Sequence, residues 1–179
     1  VEDDASELIP LQDSASMSAT DLENYERDAP LFAKLSPNVA MTPQGPQLVP
    51  GAIVGHAKGY DTVAVNAMLN LPQVKSVLPR DLKLMWGVKA IDEAESTFEL
   101  YAIKVTNRDG TAPLDGAAVA DARADYSDQG GSRAEVSMTM NAAGSRTWAR
   151  LTADNVGSAI AFVLDGYVYS APTVQGEIP

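Results

Sequence analysis

The alternation of apolar and polar positions predicts several short strands in the first two thirds of the chain. Residues 51–56 form an apolar run, and residues 82–86 place Leu82, Leu84 and Trp86 at every second position. A third run covers residues 97–106 and ends at a polar Arg-Asp-Gly turn, residues 108–110. Strand side chains point alternately to the two faces of a sheet. We therefore expect three strands, each with one buried face.

Helical spacing separates the first two of these strands. Asp61 and Thr62 offer N-cap oxygens to a helix that we expect to stop near Asn70, because Pro72 disfavours helix before it. The apolar residues of this helix fall on one face: Val65, Met68 and Leu69. Pro72 can open a second short helix. Its expected inward residues are Val74, Val77 and Leu78.

The last third of the sequence predicts a strand followed by a helix. Val136, Met138 and Met140 alternate with polar residues, as in a half-buried strand. Asn141 is a good N-cap, and Gly157 marks the end of the helix. The helix should place Ala143, Trp148 and Leu151 on its apolar face.

A hairpin is expected after this helix. Residues 158–164 and 167–173 are two β-rich runs, and the pair Asp165-Gly166 separates them. A two-residue Asp-Gly loop suits the tight turn between antiparallel strands, because that turn requires positive φ. The complete pattern predicts an α+β protein, with a mixed or antiparallel sheet and a few packed helices.

Residues 1–29 differ in composition from the rest. They hold nine acidic residues against Arg27 as the one base, a net charge of −8, whereas the remaining 150 residues carry 15 acids and 12 bases. A stretch with so little apolar surface is expected to be a flexible, solvated segment. An acidic docking tail is the functional alternative. Five prolines between residues 30 and 50 then indicate an extended entry, which Leu31, Phe32 and Leu35 attach to the fold.

Composition excludes several classes of function. The chain has no cysteine, so disulfides, thiolate nucleophiles and cysteine-ligated metals are ruled out. Its net charge of −11 disfavours nucleic acid as a partner. No apolar stretch is long enough to span a bilayer, and the acidic start lacks the features of a signal peptide.

Candidate chemistry is sparse. His56 is the single histidine, so a hydrolase would have to use it, yet a histidine at a strand end is more often a surface or hydrogen-bonded residue. Asp92, Glu93 and Glu95 could hold calcium, but the ligand spacing of a known calcium loop is missing, and a solvated loop is favoured. The pair Gly130-Gly131 precedes a strand rather than a helix, the wrong context for a phosphate loop.

Two pairs of apolar residues leave a binding role open. Trp86 and Trp148 could form an aromatic binding surface, although their periodic positions favour core or half-core residues. Met138 and Met140 suit an adaptable surface, although the core is again favoured for both. We therefore expect no catalytic, cofactor-binding or metal-binding residues, and the chain should bind or move rather than catalyse.

Three ordered segments resemble the SecD family of protein-export membrane proteins. Residues 152–157 (TADNVG), 159–166 (AIAFVLDG) and 168–172 (VYSAP) are similar to its signature block. Upstream, residues 114–123 (LDGAAVADAR) and 133–138 (RAEVSM) resemble two further segments, and Ala143-Gly144 with Trp148 resembles its helix. Ser158 departs from the pattern, because lysine is commonest there. The chain ends where a family glycine pair would follow, as a fragment of a longer protein would.

The resemblance implies three parts: a flexible acidic segment at 1–29, a family-variant insertion at 30–111, and the core of the periplasmic head at 112–179. The insertion is similar to the enlarged one of Bacteroidetes-type SecD or SecDF, notably over residues 78–83 and 100–106. The family implies a non-catalytic piece on the periplasmic side of the bacterial inner membrane, with its proton-carrying residues in membrane helices outside this sequence. The implied partners are SecF, the SecYEG channel, SecA and unfolded preprotein, with no cofactor.

The role of such a head remains open between two classes. One is transient capture and movement of unfolded polypeptide, which would bind to exposed apolar side chains or to a free sheet edge. The proton gradient would drive this movement through membrane segments outside this sequence. The other is structural docking to SecF or another translocon partner, without contact with the exported chain. The pattern of residues does not specify which surface would do either.

Overall fold

A computed structural model describes residues 19–92, 94, 96–126 and 134–179. Its helices are α1 (Ala19–Asp28), α2 (Thr62–Leu69), α3 (Pro72–Val77) and α4 (Ala142–Asp154). Its strands are β1 (Ser36–Pro37), β2 (Val39–Thr42), β3 (Gly45–Leu48), β4 (Ile53–Lys58), β5 (Leu82–Trp86), β6 (Thr97–Lys104), β7 (Val119–Tyr126), β8 (Ala134–Met140), β9 (Phe162–Leu164) and β10 (Tyr167–Ser170). The expected α+β class is confirmed.

The largest sheet has four strands in the order β1-β4-β6-β5. Strand β4 pairs antiparallel with both β1 and β6, so that His56 lies opposite Ser36 on one side and Glu99 on the other. The other strand pairs are the antiparallel hairpins β2–β3, β7–β8 and β9–β10. All three strands expected in the first two thirds of the chain are therefore present.

The described chain divides into two compact units. The first contains the described residues up to Leu78 together with Lys89–Tyr101. Its interior is formed by Leu35, Ala57, Val65 and Leu100, all buried. Leu35 packs over β4 at Gly55, where an added Cβ would lie 2.7 Å from the carbonyl oxygen of Ser36. The absence of a side chain at Gly55 therefore lets β1 approach β4 closely.

The second unit contains Pro79–Val88 and Ala102–Pro179. Helix α4 follows β8 directly, and its buried positions are Gly144 and Thr152. Among the described residues of this unit, Trp86, Val168 and Val174 are buried and apolar. Val168 joins the hairpin to the end of β5, because its carbonyl oxygen accepts a hydrogen bond of 2.9 Å from the amide of Val88.

Several local predictions are wrong. Asp61 does not cap α2 with its side chain: a 3-10 turn at Gly59–Asp61 runs directly into the helix, and the hydroxyl of Thr62 donates to the carbonyl oxygen of Gly59 instead. Val77 is 79% exposed, because the chain becomes extended at Leu78 and the helical periodicity that predicted its burial stops there. Ala143 is exposed as well, since the inward stripe of α4 begins one residue later.

Two elements were not expected from the sequence. Helix α1 occupies the end of the segment expected to be flexible, with Arg27 in its last turn, where the helix dipole favours a cation. Residues 1–18 lie outside the described part of the chain. Residues 39–48, expected to be an extended entry, fold back as the β2–β3 hairpin. The three-part division at residues 29 and 111 stays a prediction.

Candidate functional site

An apolar groove in the second unit is built on one face of α4. Positions 144, 148 and 152 follow one another at intervals of four, so that they form one stripe along the helix. Gly144 and Thr152 are buried, while Trp148 is half-buried. The stripe therefore faces inward at both ends and presents the indole of Trp148 between them.

The start of α4 is fixed by Asn141, as its sequence predicts. The side-chain oxygen of Asn141 accepts a hydrogen bond of 2.9 Å from the amide of Gly144. The side-chain nitrogen of the same residue donates to the carbonyl oxygen of Ala117 at 2.9 Å. Asn141 thus caps the helix and ties it to the segment before β7.

The predicted Asp165-Gly166 hairpin is present, and Phe162 of its first strand lines the groove. Asp165 and Gly166 have φ values of 51° and 82°, the two successive positive values that a tight turn of this hand requires. Leu164 lies opposite Tyr167, and Val163 opposite Val168. This register fixes which residues of β9 turn toward α4.

The outer edge of β9 carries backbone groups directed away from the hairpin. Leu164 and Tyr167 flank the turn, so they form the hydrogen-bonded pair, and the next pair, Val163 and Val168, points its amides and carbonyls outward. Val168 confirms this direction, since its carbonyl oxygen is bonded to Val88 on the side away from β9. In the described part of the chain, β9 has β10 as its single strand neighbour.

The groove has a volume of about 440 Å³, and β9 contributes Phe162 to its lining. Trp148 and Phe162 stand in it with ring centroids 6.0 Å apart and planes tilted by 54°. Its lining residues are mostly apolar or small: Trp148, Thr152, Ile160, Phe162, Pro172, Thr173, Val174, Gln175, Gly176, Glu177 and Ile178. Among the described residues that line it, Glu177 carries the one formal charge. Such a lining favours apolar side chains over a charged ligand.

His56 occupies the centre of a polar row in the first unit. Ser36 and Glu99 are its direct neighbours across the sheet. The carboxylate of Glu99 accepts a hydrogen bond of 2.6 Å from the hydroxyl of Tyr101. Partial burial and this hydrogen bond raise the pKa of Tyr101 to about 12. The row of serine, histidine and glutamate was not visible in the sequence, because 20 and 43 residues separate His56 from its two neighbours.

The same unit holds an ion pair between Lys34 and Asp61. The Lys34 Nζ atom lies 3.1 Å from Asp61 Oδ1. The hydrogen bond to Asp61 and the opposite charge raise the pKa of Lys34. The side chain of Asp61 thus makes an ion pair and no capping hydrogen bond to α2.

The remaining candidates are distributed as follows. Glu93, Glu95 and Gly130-Gly131 lie outside the described residues. Within the described ranges, no group of three or more acidic or histidine side chains is placed to hold a metal ion. Met140 is half-buried, whereas Met138 is 44% exposed on its two-stranded ribbon, so the core assignment fails for Met138.

The two tryptophans have different environments. Trp86 is buried, in agreement with a core residue. Trp148 is half-buried, in agreement with a half-core residue, and its exposed part lines the groove. The groove could not be predicted from the sequence, because Phe162 and residues 172–178 are distant from Trp148 along the chain and come close to it only in the folded protein.

Comparison with known proteins identifies the second half of the chain. Residues 92–179 match the family model "SecDF, P1 head subdomain". "Protein translocase subunit SecD" of Rhodothermus marinus is 39% identical over 129 residues, 72% of this chain and 20% of that protein. "Protein translocase subunit SecDF" of Thermus thermophilus is 45% identical over 65 residues, 36% of this chain and 9% of that protein. The match thus spans a fifth or less of the length of these two relatives.

A solved structure shows a more distant similarity. The structure described as "Crystal structure of SecDF in Super-membrane-facing form" aligns with a TM-score of 0.37 and 24% identity, over 90% of this chain and 17% of that one. None of the helices described here has both the length and the apolarity needed to cross a bilayer. The family match and the sequence identity nevertheless agree with the resemblance of the hairpin block: the chain belongs to the SecD family, and its residues 92–179 are a SecDF P1 head subdomain.

Proposed function

We propose that this chain works in protein translocation on the periplasmic side of the bacterial inner membrane, where its groove transiently binds unfolded polypeptide. The observation that carries the proposal is the apolar groove, to which β9 contributes Phe162, the residue next to Val163 in the strand. Trp148 and Phe162 offer aromatic faces, while Val163 offers an outward amide and carbonyl. An extended chain could pair with that edge and place one side chain in the groove.

Such binding would be weak and tolerant of sequence. Backbone pairing at β9 does not depend on the side chains of the bound peptide. A groove of about 440 Å³ can accommodate apolar side chains of different kinds. Both properties suit a protein that handles many exported chains. In the complete translocase, SecF, the SecYEG channel and SecA are the proposed partners, and the proton gradient is proposed to act through membrane segments outside this chain.

A titration followed by nuclear magnetic resonance tests the proposal. The probe is a short peptide rich in Leu and Phe with a lysine at each end, and its control is the same peptide with serine at every apolar position. We expect the apolar peptide to shift resonances of Trp148, Phe162 and Val163, and the serine peptide to leave them unmoved. Shifts confined to other residues, or no shifts, would count against binding in the groove.

The contribution of the β9 edge can be separated from that of the groove. Val163→Pro removes the outward amide and leaves the bonds between β9 and β10 in place, because Val163 does not belong to a hydrogen-bonded pair. Val163→Thr keeps the amide and is the matched control. We expect the proline variant to bind the apolar peptide more weakly than the threonine variant. Equal affinity of the two variants for the apolar peptide would show that the groove binds the peptide without help from the β9 edge.

Docking to SecF or another translocon partner is the second candidate. The observation that favours it is the exposure of large apolar side chains in the first unit, with Tyr60 at 81% and Val63 at 76%. Photo-crosslinking from position 63 and from position 163 in a working translocon distinguishes the two. Adducts with the exported chain at 163 support capture, and adducts with translocon subunits alone support docking.

We further propose that the chain acts by binding and not by turnover. The supporting observation is that the Glu99 carboxylate accepts its hydrogen bond from Tyr101, so that this contact, rather than one to His56, positions it. An assay on generic ester and peptide substrates tests it. Hydrolysis by the parent chain that disappears in His56→Ala would establish an enzyme instead.

A further inference from the structure

The segment after Val174 forms one wall of the groove, and we call its residues 175–178 the strap. Val174 is fixed on both sides: its amide donates to the carbonyl oxygen of Ser158 at 2.9 Å, and its carbonyl accepts from the amide of Gly157 at 2.9 Å. The four strap residues then pass along α4, and all of them line the groove. The position of the strap therefore decides whether the groove has this wall.

Thr152 holds the far end of the strap. Its hydroxyl oxygen accepts a hydrogen bond of 3.0 Å from the amide of Ile178, 26 residues later. The same hydroxyl donates back into its helix, with the carbonyl oxygens of Trp148 and Ala149 at 2.9 Å and 3.0 Å. Thr152 has 0% exposure. The buried hydroxyl thus donates into the helix and accepts from the strap, so replacing it by an apolar group leaves the Ile178 amide without this partner.

We propose that Thr152 is a latch that holds the strap as the wall of the groove, and that bound polypeptide and the closed latch stabilise each other. This inference rests on the proposed function. An apolar side chain in the groove would contact the strap at Ile178 and α4 at Trp148, so it gains its full contact area only when the latch is closed. Opening of the latch removes one wall and would release the bound chain. Thr152 itself acts as a positioning residue.

Hydrogen exchange at the Ile178 amide of the 179-residue chain tests the latch without any ligand. Thr152→Val preserves the shape of the side chain and removes the acceptor, whereas Thr152→Ser retains the hydroxyl. The loss of one hydrogen bond should raise the equilibrium constant for opening of the latch about fivefold. We therefore expect Ile178 to exchange about fivefold faster in Thr152→Val than in the parent, with Thr152→Ser close to the parent. The Val174 amide, bonded to Ser158, is the internal control and should not change.

The coupling is tested with the apolar peptide described above. In the parent and in Thr152→Ser, the peptide should slow exchange at Ile178. Thr152→Val should bind the peptide more weakly, by up to about fivefold, because apparent affinity falls with the fraction of molecules in which the latch is closed. Should Thr152→Val fail to fold, replacing the Ile178 amide by an ester in semisynthetic protein removes the same hydrogen bond from the strap side. It leaves the Ile178 side chain and the helix unchanged. It should reproduce the weaker binding.

Each outcome decides one part of the proposal. Unchanged exchange at Ile178 in Thr152→Val would overturn the latch. Faster exchange in Thr152→Val, together with a bound peptide that does not slow exchange at Ile178 in the parent, would confirm the latch and overturn the coupling. A parent chain that binds no peptide would overturn the proposed function and with it the coupling, while the comparison of Ile178 exchange would still decide whether Thr152 holds the strap.

Discussion

The indole of Trp148 and the ring of Phe162 lie 6.0 Å apart between centroids, with their planes tilted by 54°. Trp148 comes from α4 and Phe162 from β9, so this contact joins the helix to the hairpin. Aromatic pairs at this separation and tilt stabilise a fold beyond the area they bury. The same pair forms the aromatic part of the groove, so it serves both the stability of the second unit and its proposed binding.

Phe162→Ala should lower the free energy of unfolding by about 2 kcal/mol, about half the value for a fully buried ring, because Phe162 is only half-buried. Phe162→Leu keeps most of the apolar volume and should lose much less. Urea unfolding monitored by tryptophan fluorescence measures both. A loss of the same size in the two variants would show that the aromatic contact, and not apolar volume, supports the hairpin.

Gly144→Ala should destabilise the protein although alanine favours helix. An added Cβ at this position would lie 2.9 Å from the Cβ of Ala118 and 3.0 Å from its carbonyl oxygen, and neither atom can rotate away. The usual gain of about 1 kcal/mol for alanine over glycine inside a helix should therefore be exceeded by overpacking. Gly176→Ala is the control, because nothing lies within 4 Å of its added Cβ. A higher unfolding midpoint for Gly144→Ala would show that α4 can move away from Ala118.

The turn of the β9–β10 hairpin depends on positive φ at two successive residues. Gly166→Ala should cost about 1 kcal/mol, since alanine resists the φ of 82° found at this position. Asp165→Asn should be close to neutral, because asparagine tolerates the left-handed region as aspartate does. Thermal unfolding compares the two. Equal melting temperatures for Gly166→Ala and the parent would mean that the turn can adopt another conformation without loss.

The sequence specifies elements whose signals are local and misses those that depend on distant partners. The Asp165-Gly166 turn, the Asn141 cap and the Gly157 break need only their own neighbours, and each was predicted. The pairing of Ser36 with His56 and Glu99 depends on strand order, which periodicity does not contain. The groove likewise depends on where residues 172–178 pass α4. The β2–β3 hairpin was missed because Pro43 and Pro46 suggested an extended segment, although proline is compatible with an edge strand.

The hydrogen bond from Tyr101 to Glu99 predicts a decline of stability at alkaline pH. The pKa of Tyr101 is raised from 10 to about 12 in the folded protein, by burial and by the bond to Glu99. The folded state therefore holds this proton more tightly than the unfolded state, so the contribution to stability is fully present below pH 10 and is lost as the pH rises toward 12. Tyr101→Phe removes the titrating group, and Glu99→Gln retains a neutral acceptor for it. Urea midpoints measured between pH 9 and pH 12 should fall less steeply for Tyr101→Phe than for the parent. Parallel curves for these two proteins would contradict a raised pKa at Tyr101, while a flatter curve for Glu99→Gln would assign the shift to the carboxylate and not to burial.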